Sequence, residues 1–400
     1  MTLNLLSNNS MKTITLRKGK DQSLRRFHPW VFSGAIVREE DINEGELVRV
    51  VSAESEFMGI GHYQIGSIAV RILTFEDEAI DDAFWRRRLT AACAMRTGLG
   101  VIRADNDMYR LVHGEGDQLP GLVIDIYGPA AVMQAHSVGM HLQRKEIAAA
   151  LQAVMPSLQC IYYKSDTTLP YKAGLSDESG FLLGSPMELI AKENGLSFHI
   201  DWLKGQKTGF FLDQRDNRSL IEQYSKGRRV LNMFCYTGGF SVYALRGGAE
   251  LVHSVDSSER AVEVTDRNVA LNFPDCKRHQ SFATDAFKYL SSVEDGAYDL
   301  IVLDPPAFAK HRDALHNALK GYTRLNAKAM QKIKPGGILF TFSCSQAVNK
   351  DQFRLAVFTA AAQSHRFVRI LHQLHQPADH PINIYHPEGE YLKGLVLQVE

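Results

Sequence analysis

The chain has no Cys-x-x-Cys pair. Its five cysteines, at 93, 160, 235, 276 and 344, are scattered and odd in number. That excludes a zinc site or a disulfide framework and fits reduced thiols in a cytosolic protein. No apolar run is long enough to span a bilayer. The polar start, Met1 to Ser10, lacks the charged-then-apolar order of a signal peptide, so a cytoplasmic location without membrane contact is expected. Internal repeats and low-complexity tracts are absent. Charge of one sign is absent too: 45 Lys and Arg balance 45 Asp and Glu. Zero net charge argues against a nucleic-acid partner until its distribution is read. Met11 to Arg38 holds seven basic residues (Lys12, Arg17, Lys18, Lys20, Arg25, Arg26 and Arg38) against Asp21 alone. Cations mixed with Trp30 and Phe32 suit an RNA-contact surface, and a solvated basic face is the bland alternative.

Four hundred residues predict two or three domains. Residues 11 to 75 read as short strands separated by turns (Thr13–Arg17, Gly45–Val51, Phe57–Tyr63, Ala69–Leu73), the spacing of a small twisted barrel. A helix over 83–98 follows, carrying Arg86, Arg87 and Arg88. Strands at Tyr109–Val112, Leu122–Tyr127 and Ala131–Ala135, a helix over Leu142–Val154, and strands at Cys160–Lys164 and Met187–Glu193 make an α+β segment. From about residue 198 strands and helices alternate: strand Val230–Phe234, helix Phe240–Arg246, strand Leu251–Asp256, helix Ser258–Asn272, strand His279–Ala283, helix Ala286–Leu290, strand Leu300–Asp304, helix Ala314–Ile333 and strand Gly337–Phe342. Alternation predicts an α/β fold, a parallel sheet with helices on both faces. The expected domains are 1–75, 76–195 and 196–400.

The first strand of that sheet runs into Phe234-Cys235-Tyr236-Thr237-Gly238-Gly239, where small residues let a ligand approach the backbone at a helix start. Asp256 ends the next strand, placed for ribose hydroxyls. Asp285 and Ala286 follow the third strand, where a carboxylate can accept the adenine amino group. The GxGxxG favoured by a pyrophosphate is missing. A cofactor with an amino-acid tail, S-adenosylmethionine, fits better. Asp304-Pro305-Pro306 ends the fourth strand, and Phe342-Ser343-Cys344-Ser345 ends the strand after it. In an open α/β sheet both ends face one crevice. A thiol and a carboxylate there suggest covalent attack on a ring that the carboxylate holds, with Cys344 as nucleophile and Asp304 both catalytic and beside the cofactor. Cys235, the rival thiol, lies in the cofactor loop and is expected to pack there. Arg215 is expected near the cofactor.

Lys207-Thr208-Gly209-Phe210-Phe211-Leu212-Asp213-Gln214-Arg215, Asn232 to Phe240, Leu303-Asp304-Pro305-Pro306, Phe342-Ser343-Cys344-Ser345, Asp379-His380-Pro381, Tyr391-Leu392-Lys393-Gly394, Arg17-Lys18-Gly19 and His28-Pro29-Trp30-Val31-Phe32 keep one order along nearly the whole chain. In this the chain resembles the RlmI-type rRNA cytosine-5 methyltransferases. The resemblance implies an N-terminal PUA RNA-binding domain, a central α+β domain and a class I methyltransferase domain. It also implies methylation of one cytosine of 23S rRNA, naked or in an assembling large subunit. Lys18, Lys20, Arg25, Arg26 and Trp30 are the expected RNA contacts, no metal is expected, and a homodimer is allowed. Many RNA cytosine-5 methyltransferases carry a second Cys after the Pro-Pro pair, where this chain has Ala307. Another group must then take the carbon 5 proton, and His380 is a candidate. Two alternatives stay open: a guanine or adenine methyltransferase that needs no thiol, and a non-catalytic rRNA-binding assembly factor.

Overall fold

The computed structural model describes residues 11–37, 41–170, 175, 179–309 and 312–400. Arg38, counted in the basic run, lies outside the described residues. The chain folds as two compact units. One takes residues up to Arg103, Tyr109–Met187 and Asp379–Gly389, and the other takes Ala104–Met108, Glu188–Ala378 and Glu390–Glu400.

In the first unit, strands Lys12–Thr15, Trp30–Phe32, Leu47–Val51, Phe57–Tyr63 and Ile68–Thr74 form one sheet, ordered first, third, fourth, fifth, second. Leu47–Val51 buries alternate residues, the period-two pattern of a strand with one face inward. Ile14, Leu24, Val31, Val48, Val50, Val70 and Ile72 fill the interior. A bridge between Leu16 and Ile36 links the ends of the two edge strands, as a small barrel requires. A second five-stranded sheet packs with helices Asp82–Gly98 and Arg144–Val154 around Trp85, Leu89, Ile124, Met133, Ile147 and Leu151. Asp81 starts the first of these helices, its carboxylate accepting the Phe84 N–H.

The second unit is built on seven strands: β1 (Arg229–Met233), β2 (Leu251–Asp256), β3 (His279–Ala283), β4 (Tyr298–Leu303), β5 (Ile333–Ser343), β6 (Val368–Leu374) and β7 (Lys393–Val399). Their order is β3-β2-β1-β4-β5-β7-β6. The first five are parallel, as expected from the alternation. The last two depart from it, because β7 runs antiparallel to both β5 and β6. No α-helix intervenes between β6 and β7, so the return is not the helical crossover that parallel pairing commonly uses. Chain order reverses beside β1, and the crevice at such a switch point lies at the carboxyl ends of β1 and β4.

Further elements of this unit were not foreseen. Helix Lys350–Ser364 opens with a capping box between Asn349 and Gln352, and helix Arg215–Tyr224 precedes β1. The expected strand Met187–Glu193 is shorter, Ile190–Glu193, and pairs with Leu196–His199. Asn194 and Gly195 turn it, both at positive φ (49° and 81°), as a tight two-residue hairpin demands.

Glu193 ties that hairpin to the sheet's helices. Its fully buried carboxylate accepts two hydrogen bonds from the Arg218 guanidinium, both 2.7 Å, and one from the Tyr243 hydroxyl at 3.0 Å. Removing one partner of such a pair strands the other charge. Glu193→Ala should therefore lower unfolding free energy by roughly 3–5 kcal/mol. Urea denaturation measures it, and a loss below about 1 kcal/mol contradicts this reading of the pair.

Candidate active site

The turn from β1 into helix Gly239–Arg246 has an unusual backbone. Phe234 (φ 58°) and Tyr236 (φ 48°) are left-handed without being glycine. Gly238 (φ 80°) has no room for a side chain, since a Cβ there would sit 2.5 Å from Thr265 Cγ2. Specific bonds hold the strained turn. The Tyr236 N–H donates to Asp256 Oδ2 (2.9 Å), and the Asn268 amide donates to the Thr237 carbonyl (2.8 Å). The Tyr236 hydroxyl accepts the Gln206 N–H at 3.0 Å. Asp256 Oδ1 accepts the Ser258 N–H (3.0 Å), so each carboxylate oxygen keeps a lone pair for a ligand hydroxyl. The Asp256 carbonyl accepts the Thr284 N–H, tying β2 to the turn that leads into Asp285 and Ala286. Asp285 caps helix Ala286–Ser292 through the Lys288 N–H (2.8 Å). A close-approach turn and a half-free carboxylate on the neighbouring strand suit S-adenosylmethionine. Cys235 is buried beneath the turn near Thr265, and burial drives its thiol pKa strongly upward. It is a packing group.

Arg215 was expected near the cofactor. It is buried, donates to the Met108 carbonyl (3.1 Å) and lies 3.6 Å from Glu193.

Asp304 and Cys344 follow the ends of β4 and β5, which are adjacent, with Leu303 opposite Thr341. Further residues join them that the sequence reading did not single out as functional. Lys393 begins β7 opposite Ser343, and its buried ammonium donates to the Ser345 carbonyl (2.5 Å). Gln214 hydrogen-bonds Asp304 through its side chain. Asp213 Oδ2 accepts the Tyr391 hydroxyl (2.7 Å), while its buried Oδ1 has no hydrogen-bond partner. On the far side of β5 the Ser343 hydroxyl donates to Tyr322 (2.9 Å).

The electrostatics follow from crowding acids in a poorly solvated place. Burial, then the charge of Asp213, pushes Asp304 up to about 7, against the Gln214 bond and Arg218. Burial, then Asp304 and Asp213, pushes the Cys344 thiol up to about 12, and Lys393 opposes them. Burial pulls Lys393 down to about 8, and proximity to the sulfur acts the other way. Near neutral pH the thiol keeps its proton and Asp304 sits near half-protonation, so proton transfer must accompany any attack by sulfur.

The remaining expected residues lie in the first unit. Lys18, Lys20 and Arg26 are exposed. Arg25 is paired with Asp21 (2.6 Å) and Glu56 (2.5 Å). The half-buried Trp30 donates its indole N–H to Glu115 (2.8 Å) and packs its ring 4.2 Å from that of His386. Arg86 and Arg87 pair with Asp82 and Glu78, as a solvated helix face would. His380 is buried with Asp379 (3.1 Å) and 5.1 Å from the His113 ring. Among the described residues no group of three or more His, Cys, Asp or Glu is placed to hold a metal, and no helix is long and apolar enough to cross a membrane.

Known proteins share this organisation. Residues 168–387 match the model of an S-adenosylmethionine-dependent methyltransferase, and residues 14–75 that of a PUA-like domain. A protein of Tolumonas auensis named ribosomal RNA large subunit methyltransferase I is 43% identical over 96% of this chain and 99% of its own. One of the same name from Enterobacter sp. (strain 638) is 42% identical, with the same coverage. A solved Streptococcus mutans structure described as a SAM-dependent methyltransferase has a TM-score of 0.82 at 23% identity, covering 97% of this chain and 100% of its own. A crystal structure of a methyltransferase complexed with SAH has a TM-score of 0.84 at 23% identity, with the same coverage. The fold and the crevice are thus those of a class I S-adenosylmethionine-dependent methyltransferase with a PUA-like domain. Identity above 40% along almost the whole chain goes further: it belongs to the ribosomal RNA large subunit methyltransferase I family.

The raised Asp304 carboxyl gives two testable outcomes. A folded-state pKa above the unfolded value costs stability as pH rises from about 4 to about 7. Asp304→Asn should therefore stabilise the protein by roughly 2–4 kcal/mol at pH 8 and leave it unchanged near pH 3. It should also lower the Cys344 thiol pKa and speed iodoacetamide alkylation of Cys344 at pH 8 by roughly tenfold. Unchanged stability and alkylation across that range would refute the electrostatic coupling.

Proposed function

We propose that the protein methylates carbon 5 of a cytosine in 23S rRNA through a covalent bond from Cys344 to carbon 6. The observation that carries this reading is the thiol and carboxylate on adjacent strand ends, with a buried lysine beside the thiol. The names of the relatives support ribosomal RNA as substrate. An exocyclic amine or guanine N7 needs no sulfur nucleophile, so the alternatives leave Cys344 and its lysine without work.

S-adenosylmethionine, when bound, supplies the methyl group. The turn Phe234–Gly238 and Asp256 would hold its tail and ribose, and Asp285 and Ala286 its adenine. Lys18, Lys20, Arg26 and Trp30 offer cations and an aromatic ring to RNA. The target base must leave its stack to reach the crevice, which naked or assembling rRNA permits more easily than a finished subunit.

Carbon 5 of cytosine is a weak nucleophile until sulfur adds to carbon 6. As the C6–S bond forms, the ring gains electron density that N3 must accept as a proton. Asp304, near half-protonation at neutral pH, can as the carboxylate take the proton leaving Cys344 and pass it on to N3, which returns it to the carboxylate form. The transfer moves no net charge into the crevice, which is why a thiol with a raised pKa can serve. Lys393 faces the sulfur while it is anionic.

Mass spectrometry of nucleosides from 23S rRNA, incubated with methyl-labelled S-adenosylmethionine, tests the proposal. Wild type should yield labelled 5-methylcytidine and Cys344→Ala at least about a thousandfold less, the usual scale for removing a nucleophile. Label on another nucleoside, or an active Cys344→Ala, would refute it.

A further inference from the structure

Methyl transfer leaves carbon 5 with both a methyl group and a hydrogen. That proton must depart before the C6–S bond can break. Ala307 cannot take it. The other basic atoms around Cys344 are already engaged. Asp304 serves N3, Lys393 is a cation donating to the Ser345 carbonyl, and the Tyr322 hydroxyl accepts a bond from Ser343.

Asp213 differs from all of these. The 3-10 turn Leu212–Gln214 fixes its backbone next to Gln214, whose side chain bonds Asp304. The Tyr391 hydroxyl clamps Oδ2, two residues before the lysine that faces the thiol. Oδ1 is buried with no hydrogen-bond partner. A buried carboxylate oxygen left bare costs free energy, which a proton or hydrogen bond brought by the substrate would recover.

We infer that Asp213 is the general base that removes the carbon 5 proton and releases the product. This rests on the covalent reading of Cys344. The Asp213 carboxylate takes the proton, and the C5–H electron pair becomes the C5–C6 double bond. The C6–S pair returns to sulfur as thiolate, facing Lys393. N3 gives its proton back to Asp304, and of the two protons now on carboxylates one returns to the thiolate and one leaves to water. Replacing Asp213 would remove a like charge from beside the thiol, so addition and methyl transfer survive while release fails.

The test incubates wild type, Asp213→Asn, Asp213→Glu and Cys344→Ala with 23S rRNA and methyl-labelled S-adenosylmethionine. Denaturing gels resolve protein–RNA complexes, and calorimetry checks cofactor binding in each variant. Asp213→Asn should release 5-methylcytidine 10²- to 10⁴-fold more slowly, the usual scale for a general base, and accumulate a methyl-labelled covalent complex. Asp213→Glu should restore part of the release. A merely structural role would slow turnover without accumulating the labelled complex. Asp213→Asn that turns over at the wild-type rate, or binds cofactor normally yet forms no labelled complex while Cys344→Ala is inactive, overturns the assignment of Asp213. If Cys344→Ala methylates like wild type, the covalent reading fails, and this inference with it.

Discussion

The site depends on one backbone pairing, the antiparallel ladder between β5 and β7 that sets Ser343 opposite Lys393. Slipping such a ladder by one residue would turn every β7 side chain to the opposite face. The same register puts Leu395, Leu397 and Val399 into the main core cluster of the unit. Apolar burial along β7 therefore holds the lysine in place at its first residue. The chain leaves β5 at Cys344 and enters β7 at Lys393, so thiol and cation meet where two strand ends cross the crevice rim. Tyr391, two residues earlier, reaches Asp213 from the same approach.

Around that ladder the crevice concentrates charge that the fold would be more stable without. Two carboxylates, a thiol and an ammonium share a poorly solvated volume, and burial is the largest cause of every shift resolved there. The buried Glu193 carboxylate, by contrast, is satisfied: it accepts Arg218 twice and Tyr243 once. The contrast between that closed cluster and the bare Oδ1 of Asp213 separates a structural ion pair from a reactive site. Sites that carry chemistry commonly break rules the rest of a fold obeys.

Much of the architecture was legible. Phe57–Tyr63, Leu122–Tyr127, Leu251–Asp256 and His279–Ala283 have their expected bounds. Ser258, read as the start of its helix, caps it through the Ala261 N–H. Cys344 and Asp304 could be paired because each closes an apolar strand, and parallel topology alone then brings them to one edge. Lys393 and Asp213 could not be found that way. One depends on an antiparallel return that alternation does not signal, and the other on a short turn before the sheet begins. Helix Lys350–Ser364 was missed although Asn349 and Gln352 spell its capping box, because Phe358 and Leu355 lie exposed and blur its apolar stripe.

The central claim is a bond between Cys344 and the target base. Its most direct measurement is peptide mass spectrometry of the protein after reaction with 23S rRNA containing 5-fluorocytidine, in which fluorine blocks proton removal from carbon 5. The account predicts a peptide with Cys344 linked to a nucleotide that carries both fluorine and a methyl group. Methylation of ordinary rRNA by the same preparation with no such linkage, or a linkage at another cysteine, would contradict it.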